Sequence, residues 1–320
     1  MGISDFFYVI LFLSMIGGLA CILLTFIEKV TRLSLPFPSY FSIAFFLAVP
    51  LVIPDAAIFY HEPIRAGFFN TAALVWIIGF GVFAVLVLVR TLAAHGMIKK
   101  YADCTTERVV AVYGECLENV KLKRPPPLLY GKMKEPACVI TAWRSYVVLQ
   151  EEITEKLTDN ELRTVLTHEL LHIKRTHTVL QGIFDIICCV HWFNPMVWIG
   201  RHEFSSACEV DCDRSVLKVF GAQLQAIEYA KIMMRLMELA VVKKKSLRGN
   251  LGALDFWVAK HRITNLVNAP SKLKKIIAVF ACAVIVCGMI WLSVEHSRSY
   301  FYPFSGRING IEWSESNEQH

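Results

Sequence analysis

His168-Glu169-Leu170-Leu171-His172 is the stretch to which the other features of this chain refer. On a helix, residues four apart are rotated by about 40° relative to each other, so His168 and His172 share one face. Two imidazoles on successive turns can grip one Zn²⁺, and Glu169 between them is placed to handle the proton of a water. The helix is predicted independently of the motif. Thr158-Asp159-Asn160-Glu161 has the spacing of a capping box, and Leu162, Val165, Leu166 and Ile173 recur at helical period.

A catalytic zinc keeps three protein ligands and one open position, so a third His or carboxylate should return to this helix. Glu209 fits, within Glu209-Val210-Asp211-Cys212-Asp213. Asp213 stands four residues on, where it can accept an N–H from a ligand imidazole and fix its tautomer. Asp211 and Glu203 are the local competitors. Asp211 lies about 200° around the helix from Glu209, so those two cannot both serve. A donor to a developing oxyanion is also needed. The sequence does not single it out; His177, His202, Tyr229 and Arg262 are the candidates.

The setting is a membrane. The chain has 320 residues, 55% of them hydrophobic, too apolar for an ordinary soluble domain. Four runs reach the roughly 20 apolar residues that a span needs: about 6–27, 40–60, 68–89 and 276–294. The second holds Pro50, Pro54 and Asp55 and is the weakest. Between residues 93 and 272 stand 25 of the 33 Lys and Arg, against 19 Asp and Glu. The positive-inside tendency then places 93–272 in the cytoplasm and both termini outside. None of the ten cysteines falls in a segment predicted to be outside, and small buried hydrophobe is the ordinary reading of all of them. No nucleic-acid pattern is present. The basic excess, including Lys243-Lys244-Lys245, suits a cytoplasmic membrane face and its lipid headgroups.

Three parts follow: spans in 1–92, a zinc domain in 93–272, and a last span with a short tail in 273–320. Within the zinc domain, Thr105 or Thr106 caps a helix carrying Val109, Val112 and Cys116. Leu128-Leu129-Tyr130 reads as a strand, and Cys138–Trp143 and Tyr146–Leu149 as a hairpin around Arg144-Ser145. A strand just upstream of the zinc helix is an element to which a substrate peptide can add. The apolar run 179–200 is interrupted by Gly182, Asp185, His191 and Asn194-Pro195. As a full span it would separate the zinc ligands across the bilayer, so it is read as a membrane-dipping hairpin turning near Asn194-Pro195. A separate helix is expected over Phe204–Phe220, ended by Gly221, and another over Leu224–Val242.

His168 to Arg175, His191-Trp192-Phe193-Asn194-Pro195 with Trp198, and Glu209 to Asp213 as E-x-x-C-D together resemble the BlaR/MecR-type membrane metallopeptidases. Arg262-Ile263 is similar to the Arg-Ile pair that follows the zinc domain in that family. The resemblance covers roughly residues 125–265 plus the pattern of spans. It implies a multi-span α-helical bacterial inner-membrane protein with an embedded cytoplasmic α+β domain of the gluzincin type, holding one Zn²⁺ per chain. The implied activity is zinc endopeptidase, regulatory in purpose. The implied substrates are a cytoplasmic repressor or the chain's own 246–260 loop, and a homo-oligomer or a separate sensor subunit is the implied assembly. Two departures stand out. The family usually has Asp where this chain has His177. Its receptor members carry a large sensor after the last span, where about 26 residues follow here, so the expectation is a stand-alone peptidase. The rival from another class is a signal-transducing receptor or scaffold with a vestigial or structural zinc site. Retention of Glu169 opposes it, since a structural site needs no such carboxylate.

Overall fold

The capping box forms as the sequence requires, and it starts the helix on which the fold is hung. In the computed structural model the Thr158 backbone N–H donates to Glu161 Oε2 at 2.8 Å, and the Glu161 N–H returns to Thr158 Oγ1 at 3.4 Å. The structure describes residues 63–133, 135–141, 144–244 and 261–266, with parts of 7–26 and 271–291. In chain order the elements are helix α1 (Pro63–Ile98), strand β1 (Ala102–Asp103), α2 (Glu107–Val120), β2 (Leu128–Tyr130), β3 (Ala137–Thr141) and β4 (Ser145–Leu149). There follow the short α3 (Glu151–Thr154), α4 (Asp159–Lys174), α5 (His177–Val190), α6 (Pro195–Phe220) and α7 (Ala226–Lys244).

The four strands form one sheet in the order β1-β2-β4-β3. β3 and β4 are the expected antiparallel hairpin, with Thr141 opposite Ser145, so Ser145 belongs to the strand and not to the turn. β2 runs parallel to β4. β3 is left at the edge, paired with β4 alone among the described residues. α4 is clamped between this sheet, α2 and α6. Leu162, Leu166, Leu170 and Leu171 are buried there with Val147 and Leu149 of β4 and Val216 of α6, in one continuous core. Each such leucine is worth roughly 2–5 kcal/mol against truncation to alanine. Arg163 to Glu115 at 2.7 Å and Arg108 to Asp159 at 2.6 Å brace the exposed side.

α1 is 36 residues long, about 54 Å at 1.5 Å per residue. Its segment Asn70–Ile98 is the one described helix long and apolar enough to cross a membrane. Leu74, Val75, Ile78, Val82, Val85 and Leu86 are each more than half exposed along it. The helix continues past residue 92 to Ile98, so α1 itself leads into the part of the chain that carries α4. Ser14–Leu23 and the described residues of 273–291 are helical too. The second expected span, 40–60, and the loop 246–260 lie outside the described residues.

The hairpin over 179–200 is present with a correction. It turns at residues 191–194, where Asn194 Oδ1 accepts the Met196 N–H at 2.9 Å and Pro195 opens the next helix. That helix does not end at residue 200. It runs unbroken to Phe220, so the second arm and the expected Phe204–Phe220 helix are a single element, α6. Gly200 is a packing glycine and not a breaker: a Cβ there would sit 3.0 Å from Cys21 Sγ and 3.5 Å from Phe184. Gly221, at φ +57°, ends α6 as expected. A 3₁₀ turn over Gly221–Gln223 then delays α7 to Ala226, beyond the expected Leu224.

The turn is tied to its neighbours. Trp76 Nε1 donates to Val190 O at 2.8 Å, Trp192 Nε1 to Trp76 O at 3.3 Å, and Asn194 Nδ2 to Ser14 O at 2.7 Å. Gly79 leaves room for the Trp192 ring, whose Cε2 would be 2.2 Å from any Cβ at that position. Asp185, one of the interruptions in the apolar run, bonds Arg201 at 2.6 Å and lies 3.6 Å from Arg90, which accounts for a carboxylate in that helix.

Candidate metal centre

α4 and α6 cross so that His168, His172 and Glu209 meet. His168 Nε2 and His172 Nε2 are 3.1 Å apart. Glu209 Oε2 lies 3.4 Å from the first and Oε1 3.4 Å from the second. One ligand atom from each residue falls within 4.8 Å of the other two. The outward nitrogens are both engaged: His168 Nδ1 is 3.2 Å from Asp213 Oδ1, and His172 Nδ1 is 3.3 Å from His177 Nδ1. Outward N–H groups that donate leave both Nε2 lone pairs aimed at one point, beside a carboxylate. Two imidazoles and a carboxylate are a donor set that suits Zn²⁺, and the residues fit the metal.

Asp213 is fully buried and heavily bonded. Arg262 reaches it twice, Nε to Oδ2 at 2.8 Å and Nη2 to Oδ1 at 2.6 Å, and Tyr229 O–H donates to Oδ1 at 2.6 Å. Burial alone would raise this carboxyl; the Arg262 guanidinium outweighs it and holds Asp213 well below the usual carboxylate range. Arg262 also places Nη1 3.2 Å from Glu209 Oε2. Glu209 is held down at about 2, burial opposing and Arg262 and the histidines prevailing. Arg262 is therefore a clamp joining one candidate ligand to the partner of another. Replacing Arg262 by Met should cost roughly 3–5 kcal/mol, because it strips the charge partner from a buried carboxylate. Thermal unfolding of the full chain in detergent measures this; a loss below about 1 kcal/mol would mean that Asp213 is adequately satisfied by Tyr229 and His168.

Asp211, the competitor for third ligand, faces elsewhere: it pairs with Arg175, the residue that follows α4, which also bonds Ser215 Oγ at 2.8 Å. His177 is fully buried beneath His172, their ring centroids 5.2 Å apart. The left-handed Thr176, at φ 56°, folds α5 back directly after α4 and puts it there. Tyr229 sits behind His168, its O–H 3.3 Å from Nδ1. His202 is exposed on α6, seven residues and about 10 Å along the axis from Glu209. Of the four oxyanion candidates, Arg262 alone touches the Glu209 oxygen that faces His168 Nε2. Cys212 is a neighbour that spacing alone did not assign: its Sγ is 3.4 Å from His177 Nδ1.

Glu169 is half-buried next to His168. Burial pushes its carboxyl up to about 7, with His168 pulling the other way. The helix that carries it packs against β3, where burial together with the Glu169 and Glu135 carboxylates pushes the Cys138 thiol up to about 12. In metal-free protein, burial disfavours a charged His168, but Asp213 and Glu209 prevail and hold it at about 10, whereas burial and the His168 charge lower His172 to about 4. Between these values one proton must leave His168 when zinc enters. The zinc Kd should therefore fall roughly tenfold per pH unit between pH 7 and 9. A Kd flat across that window in a competition titration would show His168 already neutral.

A helix presenting two histidines and a glutamate, with a further carboxylate returned by a second helix, makes a group that could hold a metal ion. The comparisons concern the family. The chain belongs to the family described as BlaR1 peptidase M56, whose model matches residues 19–266. It is 24% identical to the regulatory protein BlaR1 of Bacillus licheniformis over 194 residues, 61% of this chain and 32% of that protein. It is also 24% identical over 163 residues to the methicillin resistance mecR1 protein of Staphylococcus aureus strain Mu50, covering 49% of this chain and 26% of the relative. A second BlaR1, from Staphylococcus aureus, is 25% identical over 146 residues. The chain thus spans about a third or less of the length of these relatives.

Proposed function

We propose that this protein is a membrane-embedded zinc endopeptidase that cuts polypeptide at the cytoplasmic face of a bacterial inner membrane, as a regulatory step. The observation that carries this is the meeting of His168 Nε2, His172 Nε2 and Glu209 within 4.8 Å, with Glu169 alongside. His168, His172 and Glu209 would hold one zinc, which supplies Lewis acidity to a water and to the scissile carbonyl. Asp213 and Tyr229 fix the His168 ring. Glu169 accepts the proton of the attacking water and returns it to the leaving amine. A cation in the site takes the place of the His168 charge, adds to the lowering by Arg262 and favours the ionised, accepting form. Arg262 is the donor placed to meet charge developing on the substrate oxygen. The edge of β3, unpaired among the described residues and on the strand against which α4 packs, is a surface on which an extended substrate can add as a strand.

The exposed apolar row of α1 supports the bilayer setting. The charge pattern supports a cytoplasmic zinc domain with both termini outside. The regulatory names of the relatives support a regulatory cut, with a cytoplasmic repressor or the chain's own 246–260 segment as substrate. A homo-oligomer or a separate sensor subunit belongs to the same reading. The test is to incubate the full chain in detergent with a quenched-fluorescence peptide library and follow its own integrity. Cleavage should stop on chelation and return with stoichiometric zinc. Cleavage that persists in chelator would overturn the metal's role, and none under zinc-replete conditions would favour a signalling protein with a structural site.

A further inference from the structure

The two ligand histidines are backed differently. His168 leans on the carboxylate of Asp213, and His172 leans on another imidazole, His177. To offer Nε2 to a metal, a neutral His172 must carry its proton on Nδ1, and the atom 3.3 Å from that proton's nitrogen is His177 Nδ1. Nδ1 of His177 must then accept, which puts the His177 proton on Nε2. That nitrogen is buried without a hydrogen-bond partner, and the nearest anion is Asp211 Oδ2 at 3.7 Å, itself paired with Arg175. The Cys212 thiol at 3.4 Å is the rival donor to the same lone pair, and a thiol S–H is the weaker one.

We infer that His177 is a positioning residue of the metal centre: it accepts the Nδ1–H of His172, fixes the tautomer that leaves Nε2 free for the metal, and holds the ring in place from α5. It rests on the zinc-site reading above. Partners of this kind are worth roughly 10–100-fold in metal affinity. The arrangement also joins the centre to the hairpin whose other end packs on α1, since His177 is the first residue of α5 and Val190, which accepts from Trp76, is the last.

Two substitutions separate this role from packing. His177→Phe keeps a buried ring and removes the acceptor. His177→Asn places an acceptor oxygen close to where Nδ1 stands, with less bulk. Zinc Kd by chelator competition and the visible spectrum of the cobalt-loaded protein are read alongside the thermal stability of each metal-free full chain. His177→Phe should weaken zinc binding roughly 10–100-fold and shift the cobalt spectrum, without a matching loss of metal-free stability. His177→Asn should recover most of the affinity despite its smaller volume. Wild-type affinity and spectrum in His177→Phe would overturn the inference. So would two zinc per wild-type chain with one lost in Cys212→Ser, because His172, His177 and Cys212 would then be holding a metal of their own. Failure of the zinc-site reading itself looks different: wild type would bind no zinc at all.

Discussion

Replacing Glu209 by alanine is expected to weaken zinc binding by at least about 100-fold, some 3 kcal/mol, while the chain stays folded. Residues that merely orient a ligand are worth 10–100-fold, and a ligand should exceed them. The carboxylate is the only one whose two oxygens each lie 3.4 Å from a different ligand-histidine Nε2 among the described residues. Its loss leaves two imidazoles, one short of the three protein ligands of a catalytic zinc site. The fold should survive because Arg262 keeps both of its bonds to Asp213 when Glu209 is gone. Equilibrium competition against a chelator of known affinity, with an unfolding curve of the metal-free variant, measures both halves. Undiminished zinc in a folded Glu209→Ala chain would move the third ligand elsewhere.

Glu169→Gln is expected to do the opposite: keep the zinc and lose the chemistry. Glutamine matches glutamate in shape but can neither take up a proton at that oxygen nor return it. Proton transfer of this kind is worth roughly 10²–10⁴-fold, and the cleavage rate should fall by that factor. Glu169 is absent from both groups of three that could hold a metal, so zinc content should be that of wild type. The pairing of results matters more than either alone. A variant that cleaves at the wild-type rate would remove Glu169 from the mechanism, and one that also loses zinc would make it a ligand.

The parts that were legible in the sequence are those governed by local rules. The capping box, the i,i+4 histidines and Glu209–Asp213, and the Pro195 start and Gly221 end of α6 are each set by residues within a turn or two of each other. The continuity of α6 was missed because the apolar run and the Phe204–Phe220 stretch differ in composition and read as separate elements. Gly200 lies inside the one helix, where it admits Cys21 from a segment almost 180 residues away. The outer ring of the site was legible in part. Asp213 announces itself by spacing, but Arg262 and Tyr229 reach it from α7 and beyond, and no periodicity relates them. His177 was visible as an oxyanion candidate and as a departure, not as a neighbour of His172. What gives it a place is the left-handed Thr176, and nothing in that residue's type foretells a positive φ. The expected spans rest on composition alone, which does not fix where a helix stops: α1 runs on past the expected end at residue 89 to Ile98.

The most direct test of the central claim is zinc K-edge X-ray absorption on the full chain, purified in detergent and loaded to equilibrium, with metal content determined on the same sample. The account predicts one zinc per chain in a shell of nitrogen and oxygen only, with the outer-shell signature of two imidazoles. A sulfur scatterer in the first shell would place Cys212 among the ligands and contradict the assignment to His168, His172 and Glu209. No bound zinc at all would contradict the metallopeptidase account itself.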